Sequence, residues 1–233
     1  MSEILTYEEI AVCAKASYDL GVKKIKLTGG EPLIRKHIFK LVEMLSKIGF
    51  KDISLTTNGS LLTLYVNHLK NTGLSRVTVS LDTLDPQKFK QITRFDNIKD
   101  VTRSFDALDA VRFANTKINT VVMRNYNLEW IENLLKFALT RNYKIRFIEY
   151  MPSDYNKGFK QNFVSIDEVK TIIEKHHILK PTTYYKTNVP SKYYMLENTT
   201  YIVFTLIQSI KIKPRQHKLL DNNIHQPFSN IGG

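Results

Sequence analysis

Apolar positions along the chain switch repeatedly between two periods. Thr6-Tyr7-Glu8-Glu9 has capping-box spacing, a hydroxyl set to accept from the third helical amide and a glutamate set to reach back. A helix is therefore predicted from there to near Gly21. Lys24-Ile25-Lys26-Leu27-Thr28 then alternates polar and apolar residues as a strand does, and Ile38, Leu41, Val42, Leu45 and Ile48 return to helical spacing. The unit recurs: a strand over 53–56, a helix over 62–69, a break at Gly73 and a strand over 77–80. Asp85 before Pro86 reads as the start of a turn. A helix over 98–113 leads to a strand over 117–122. Asn127 reads as the cap of a helix whose Ile131, Leu134, Leu135 and Ala138 share a face, and a fifth strand covers 146–149.

Strands alternating with helices pair in parallel through right-handed crossovers, which gives a doubly wound sheet or a barrel. A partial α/β barrel is favoured here. Thr28, Thr56, Ser80, Asn119 and Glu149 fall at or near the carboxyl ends of successive strands, where such folds build their sites. Past Met151 the pattern weakens into a polar loop over 152–163. A second capping box at Ser165-Ile166-Asp167-Glu168 opens a helix to about Lys175, a strand-like run follows at 201–207, and residues 208–233 are basic and polar.

Composition narrows the classes. A chain of 233 residues, 42% hydrophobic, suits one main core. The first residues lack a basic start and an apolar run, and no later stretch has the length of a membrane span, so a cytoplasmic setting is expected, or an organelle if a targeting segment has been lost. The net charge of +12 favours anionic partners. Nucleic acid is not expected among them, because no base-reading motif accompanies the charge. The single cysteine, Cys13, excludes an internal disulfide, and Ile10-Ala11-Val12-Cys13-Ala14 reads as the buried side of a helix.

The sharpest motif is Leu27-Thr28-Gly29-Gly30-Glu31-Pro32, directly after a strand. Two glycines let a ligand approach the backbone closely, and Pro32 fixes the exit, so loop carbonyls could accept a ligand ammonium while Glu31 holds the turn. No G-x-S-x-G, G-x-G-x-x-G or H-E-x-x-H pattern points to a hydrolase, dehydrogenase or zinc protease instead.

LTGGEPLIR, LTTNGSLL, VSLDTLDPQKF, INTVVMR and RFIEYMP occur in that order, and over about residues 5–173 the set resembles the GTP 3′,8-cyclase family of radical S-adenosylmethionine enzymes. The terminal Phe228-Ser229-Asn230-Ile231-Gly232-Gly233 resembles that family's double-glycine tail. The resemblance implies a partial (βα)6-type barrel lacking its first strand over residues 1–153, with a shortened, degenerate carboxyl-terminal region over 154–233. It also implies the first step of molybdenum cofactor biosynthesis, in which GTP becomes a cyclic pyranopterin precursor by S-adenosylmethionine radical chemistry. Gly29, Gly30, Glu31, Ser80 and Met151 would bind S-adenosylmethionine; Lys26, Thr56, Lys117, Gly232 and Gly233 would lie near GTP.

The departures from the family are specific. Lys26 stands where the family usually has an arginine, which keeps charge and loses the bidentate fork. The CxxxCxxC loop and the later cysteine trio that hold the family's two 4Fe-4S clusters are absent, and one thiol cannot replace three thiolates. The chain is therefore expected to be inactive as written, with neither catalytic nor metal-ligating residues assigned. A homodimer or a complementing chain that supplies the cysteines stays open as partner. A non-catalytic nucleotide- or nucleic-acid-binding remnant is the alternative.

Overall fold

The computed structural model describes residues 4–151, 158–182, 191–197 and 203–207. The elements in order are α1 (Tyr7–Asp19), β1 (Lys24–Leu27), α2 (Ile38–Ile48), β2 (Asp52–Thr57), α3 (Leu62–Asn71), β3 (Arg76–Ser80), α4 (Pro86–Thr93) and α5 (Ile98–Ala110). They continue with β4 (Thr116–Val122), α6 (Ile131–Thr140), β5 (Lys144–Glu149), α7 (Phe159–Asn162), α8 (Ile166–Glu174), β6 (Leu179–Pro181), β7 (Ser191–Leu196) and β8 (Val203–Ile207). The capping box at Thr6 is complete: its hydroxyl accepts from the Glu9 amide at 3.1 Å, and the Glu9 carboxylate accepts from the Thr6 amide at 2.7 Å.

One sheet runs β1-β2-β3-β4-β5-β8-β7-β6. The first five strands pair in parallel, and β8 adds a sixth parallel strand beside β5. β7 and β6 then extend the sheet antiparallel. This is the partial barrel read from the sequence, and Val203–Ile207, within the run read as strand-like, form its sixth parallel member.

Alternation along each strand separates two environments. Ile53, Leu55, Val77, Val79, Ile118, Val122, Ile145 and Phe147 are buried, and they belong to one core with the apolar stripes of the helices, such as Ile38, Leu41, Val42 and Leu45 of α2. Each large side chain enclosed there contributes about 1.5–3 kcal/mol relative to exposure. The opposite face of β1 to β5 lines the interior and is mostly polar, with Val121 and Ile148 as apolar exceptions near the carboxyl ends.

Four sequence expectations are corrected. Asp85 does not merely start a turn: its side chain accepts from the Lys88 amide at 2.7 Å and caps α4, with Pro86 in the first turn. Asn127 stands before a short 3-10 turn, Leu128–Trp130, without capping it by its side chain. Ser165 caps α8, but Glu168 turns away to pair with Arg124 at 2.7 Å and leaves the box half-made. Cys13 is exposed, because α1 packs through Tyr7, Ile10, Ala14 and Tyr18 and position 13 falls off that line.

Candidate cofactor and anion site

Register between neighbouring strands sets interior side chains in lateral rows. Lys26, Ser54 and Arg76 align across β1 to β3. Thr56, Thr78, Lys117 and Lys144 form the next row, and Ser80, Asn119 and Arg146 the one nearest the carboxyl ends. A cavity of about 210 Å³ opens on this face, lined by Lys24, Lys26, Arg76, Thr78, Lys117 and Arg146 together with Ile25 and Ser54. Asp52 is the acidic member of this face. It pairs with Arg76 at 2.6 Å and more distantly with Lys24 at 3.8 Å.

So many cations around one carboxylate raise the local potential. Burial, then the neighbouring Arg146, Lys144 and Arg76, pull the Lys117 amine down to about 8. Thr56 Oγ1, Asn119 Oδ1 and the Nε atoms of Arg76 and Arg146 are buried without a hydrogen-bond partner among the described residues. Buried polar atoms are otherwise nearly always satisfied, so these atoms leave the face with unused hydrogen-bonding capacity for water or a polar ligand.

Above the cavity, the loop after β1 is held by one side chain. Glu31 Oε1 accepts from the Leu33 amide at 3.0 Å and from the Thr57 hydroxyl at 2.7 Å, while Oε2 accepts from the Asn58 amide at 2.7 Å. The carboxylate thus ties the loop to the end of β2. Gly29 has φ +152°, and a Cβ on Gly29 or Gly30 would meet no protein atom within 4 Å. Both glycines are exposed, so the backbone of this loop is accessible.

The far rim is stitched by side chains. Asp82 accepts from the Val121 amide at 2.8 Å, and the Thr120 hydroxyl donates to the Leu81 carbonyl at 2.7 Å. Asn127, buried, donates to the carbonyls of Asp82 and Val121 at 2.9 and 2.8 Å and accepts from the Met123 amide at 2.7 Å. Asp82 as a residue is only partly buried, yet its carboxyl group lies deep among protein atoms, and that enclosure pushes it up to about 6.

Of the residues singled out by sequence, Lys26, Thr56 and Lys117 share the concave face, Ser80 stands exposed at its upper rim, and Gly29, Gly30 and Glu31 form the adjoining loop. Met151 follows β5 and is exposed. Gly232 and Gly233 lie outside the described residues. Glu149, expected among the strand-end polar groups, is buried on the helix side and accepts from the Ile166 amide at 2.9 Å, where it anchors α8. Sequence reasoning missed Lys24, Arg76 and Arg146. For Lys24 and Arg76 the signal was parity, two residues from Lys26 and four from Ser80 on the same strands; on β5 the recognised residue was Glu149, three positions from Arg146 and facing the core, so no interior position marked Arg146.

A 4Fe-4S cluster is not supported by this chain's donors. Its one thiol is exposed on α1, and no group of three His, Cys, Asp or Glu side chains able to hold a metal occurs among the described residues. Nor is any helix among them long and apolar enough to cross a membrane.

Comparisons agree with this architecture. The chain is 43% identical over 195 residues to the GTP 3′,8-cyclase of Thermodesulfovibrio yellowstonii, covering 83% of this chain and 61% of that one. It is 40% identical over 201 residues to the enzyme of that name from Marinobacter nauticus, covering 84% and 60%. The chain thus spans about 60% of the length of these curated relatives. Among solved structures, Streptococcus suis SuiB bound to S-adenosylmethionine superposes with a TM-score of 0.62 at 18% identity, covering 74% of this chain and 40% of that one. SuiB in another crystal structure gives 0.66 at 16%, covering 97% and 48%. At those identities the likeness is one of fold. Residues 2–138 match the family model described as the radical SAM superfamily, and the chain belongs to that superfamily.

Proposed function

We propose that the chain is the nucleotide- and S-adenosylmethionine-binding part of a GTP 3′,8-cyclase-type enzyme of molybdenum cofactor biosynthesis, acting in the cytoplasm. The observation that carries this reading is the cation-lined cavity on the same sheet face as the unpartnered Thr56 and Asn119 oxygens, with the exposed Gly29-Gly30 loop following β1. Loop carbonyls of Gly29 and Gly30 accept the methionine ammonium of S-adenosylmethionine while Glu31 keeps the loop in place. Ser80 and Asn119 hold its polar edge, and the backbone at Met151 borders its adenine.

Lys26, Lys117 and Arg146 neutralise a triphosphate seated in the cavity. Its volume of about 210 Å³ is small for a whole nucleotide, so the nucleoside extends toward the mouth. Thr56 supplies a hydroxyl at the same level. In this superfamily a 4Fe-4S cluster reduces and cleaves S-adenosylmethionine, but the donors of this chain do not fit one. The chain alone binds and orients; cluster-ligating thiolates would have to come from outside it. Concentration of the cations inside the concave face favours a small polyanion over nucleic acid.

Titration calorimetry with GTP tests this. Removing one buried cation contact to phosphate costs about 1.5–3 kcal/mol, so Arg146→Ala weakens GTP at least about tenfold while the circular dichroism spectrum is retained. Equal affinity in the variant, or no GTP binding by the wild type at millimolar concentration, refutes the reading.

A further inference from the structure

Lys117 occupies an unusual position among the interior cations. It lies on β4, half-buried on the cavity wall, with Thr78 and Lys144 as its lateral partners. The charged groups facing this interior are Lys24 and Lys26 from β1, Asp52 from β2, Arg76 from β3, and Lys144 and Arg146 from β5. The carboxylate is engaged by Arg76 at 2.6 Å, and among the described residues Lys117 has no ion-pair partner. Its amine therefore faces positive charge without a counter-ion of its own.

Two chemical consequences meet at one place. An amine both desolvated and crowded by cations is neutral for about a tenth to a fifth of the time near physiological pH, far more than an ordinary lysine, and a neutral amine is a nucleophile toward carbonyl carbon. The same crowding cations form a receptor for a negative group beside that amine. The cavity, at about 210 Å³, is matched to a small molecule.

We propose that Lys117 forms an imine with small anionic carbonyl compounds, 2-oxo acids and aldehyde acids, whose carboxylate is held by Arg146 and Lys26. The Nζ lone pair attacks the carbonyl carbon and the carbonyl oxygen gains a proton, giving a carbinolamine. That hydroxyl takes up a proton from solvent and leaves as water, while the second amine proton is released to solvent or kept on an iminium nitrogen. Amine plus carbonyl gives imine plus water, and neither oxidant nor reductant is consumed. The carboxylate offsets the charge that isolates the amine, so binding and bond formation favour the same class of ligand. The proposal rests on the cation-lined cavity and not on the identity of any nucleotide.

The test is reductive trapping on the full chain, with glyoxylate as the anionic aldehyde, propanal as its uncharged counterpart and cyanoborohydride as hydride donor. Intact mass and peptide mapping locate the adduct. The expected result is one adduct per chain on the peptide carrying Lys117, formed about tenfold faster with glyoxylate than with propanal at equal concentration, its rate rising with pH through about 8. Lys117→Arg keeps the charge and loses the adduct. Should that variant misfold, inorganic tripolyphosphate added to the wild type protects the same peptide. Labelling spread over exposed lysines, or labelling of Lys117 without preference for the charged aldehyde, overturns the proposal. GTP titration is read separately, so either assignment can fail while the other stands.

Discussion

Glu31→Gln is the substitution whose consequence follows most directly from the geometry. The wild-type carboxylate accepts three hydrogen bonds, from the amides of Leu33 and Asn58 and from the Thr57 hydroxyl. A glutamine has the same shape and one acceptor oxygen. With that oxygen facing Leu33 and Thr57, its NH₂ points at the Asn58 N–H; flipped, it points at the Leu33 N–H. Either orientation leaves one backbone donor unpaired and removes the charge from the remaining bonds. A bond to a charged acceptor is worth about 1.5–3 kcal/mol and a neutral one about 0.5–1.5, so the total loss is about 2–4 kcal/mol. Urea unfolding followed by far-ultraviolet circular dichroism measures it: with a slope of about 2 kcal/mol per molar, the midpoint falls by about 1–2 M. A variant whose midpoint lies within about 0.2 M of wild type, at the same slope, shows that Glu31 does not carry the loop and refutes the argument.

Asp82 predicts a pH-dependent difference. Its folded-state value of about 6 lies above the ordinary carboxylate range, so its contribution is fully present below about pH 4 and is lost as pH rises through about 6, a change of about 3 kcal/mol at most. Asp82→Asn removes that dependence; a wild-type-minus-variant unfolding free energy that stays flat from pH 4 to 7 rejects it. Anaerobic incubation of the chain with iron and sulfide yields no stoichiometric 4Fe-4S absorbance, because one exposed thiol cannot supply three ligands, and a full cluster spectrum on the isolated chain contradicts the donor count.

Most of the fold was legible because the apolar period changes cleanly at each junction. Ile53/Leu55 and Val77/Val79 could only be strands between turn signals, and Leu134, Leu135 and Ala138 only a helix face. The misreadings share a cause: local chemistry was visible while direction was not. Cys13 sits in an all-apolar run that names no inward face until α1 is packed on α2. Glu149 was correctly placed at a strand end but on the wrong side of it, since one residue of parity separates the interior from the core. Asn127 has a cap's chemistry and spends it on two strands instead. Lys24, Arg76 and Arg146 were lost among 34 basic residues, and only their alternation separates them from solvated surface charge. The Gly29-Gly30-Glu31 turn was readable because each residue type leaves few structural alternatives.

The stitched rim gives the barrel mouth an unequal frame. Where β3 and β4 end, Asp82, Thr120 and Asn127 take over from strand pairing, so that wall keeps its outline however the connections beyond it are drawn. Across the opening, the loop that carries the glycine pair is tied to β2 by one carboxylate, and neither glycine has a neighbour crowding it. For a ligand bound as proposed, the β1 side would therefore be the wall with fewer ties to break, and the opposite wall the more firmly held reference.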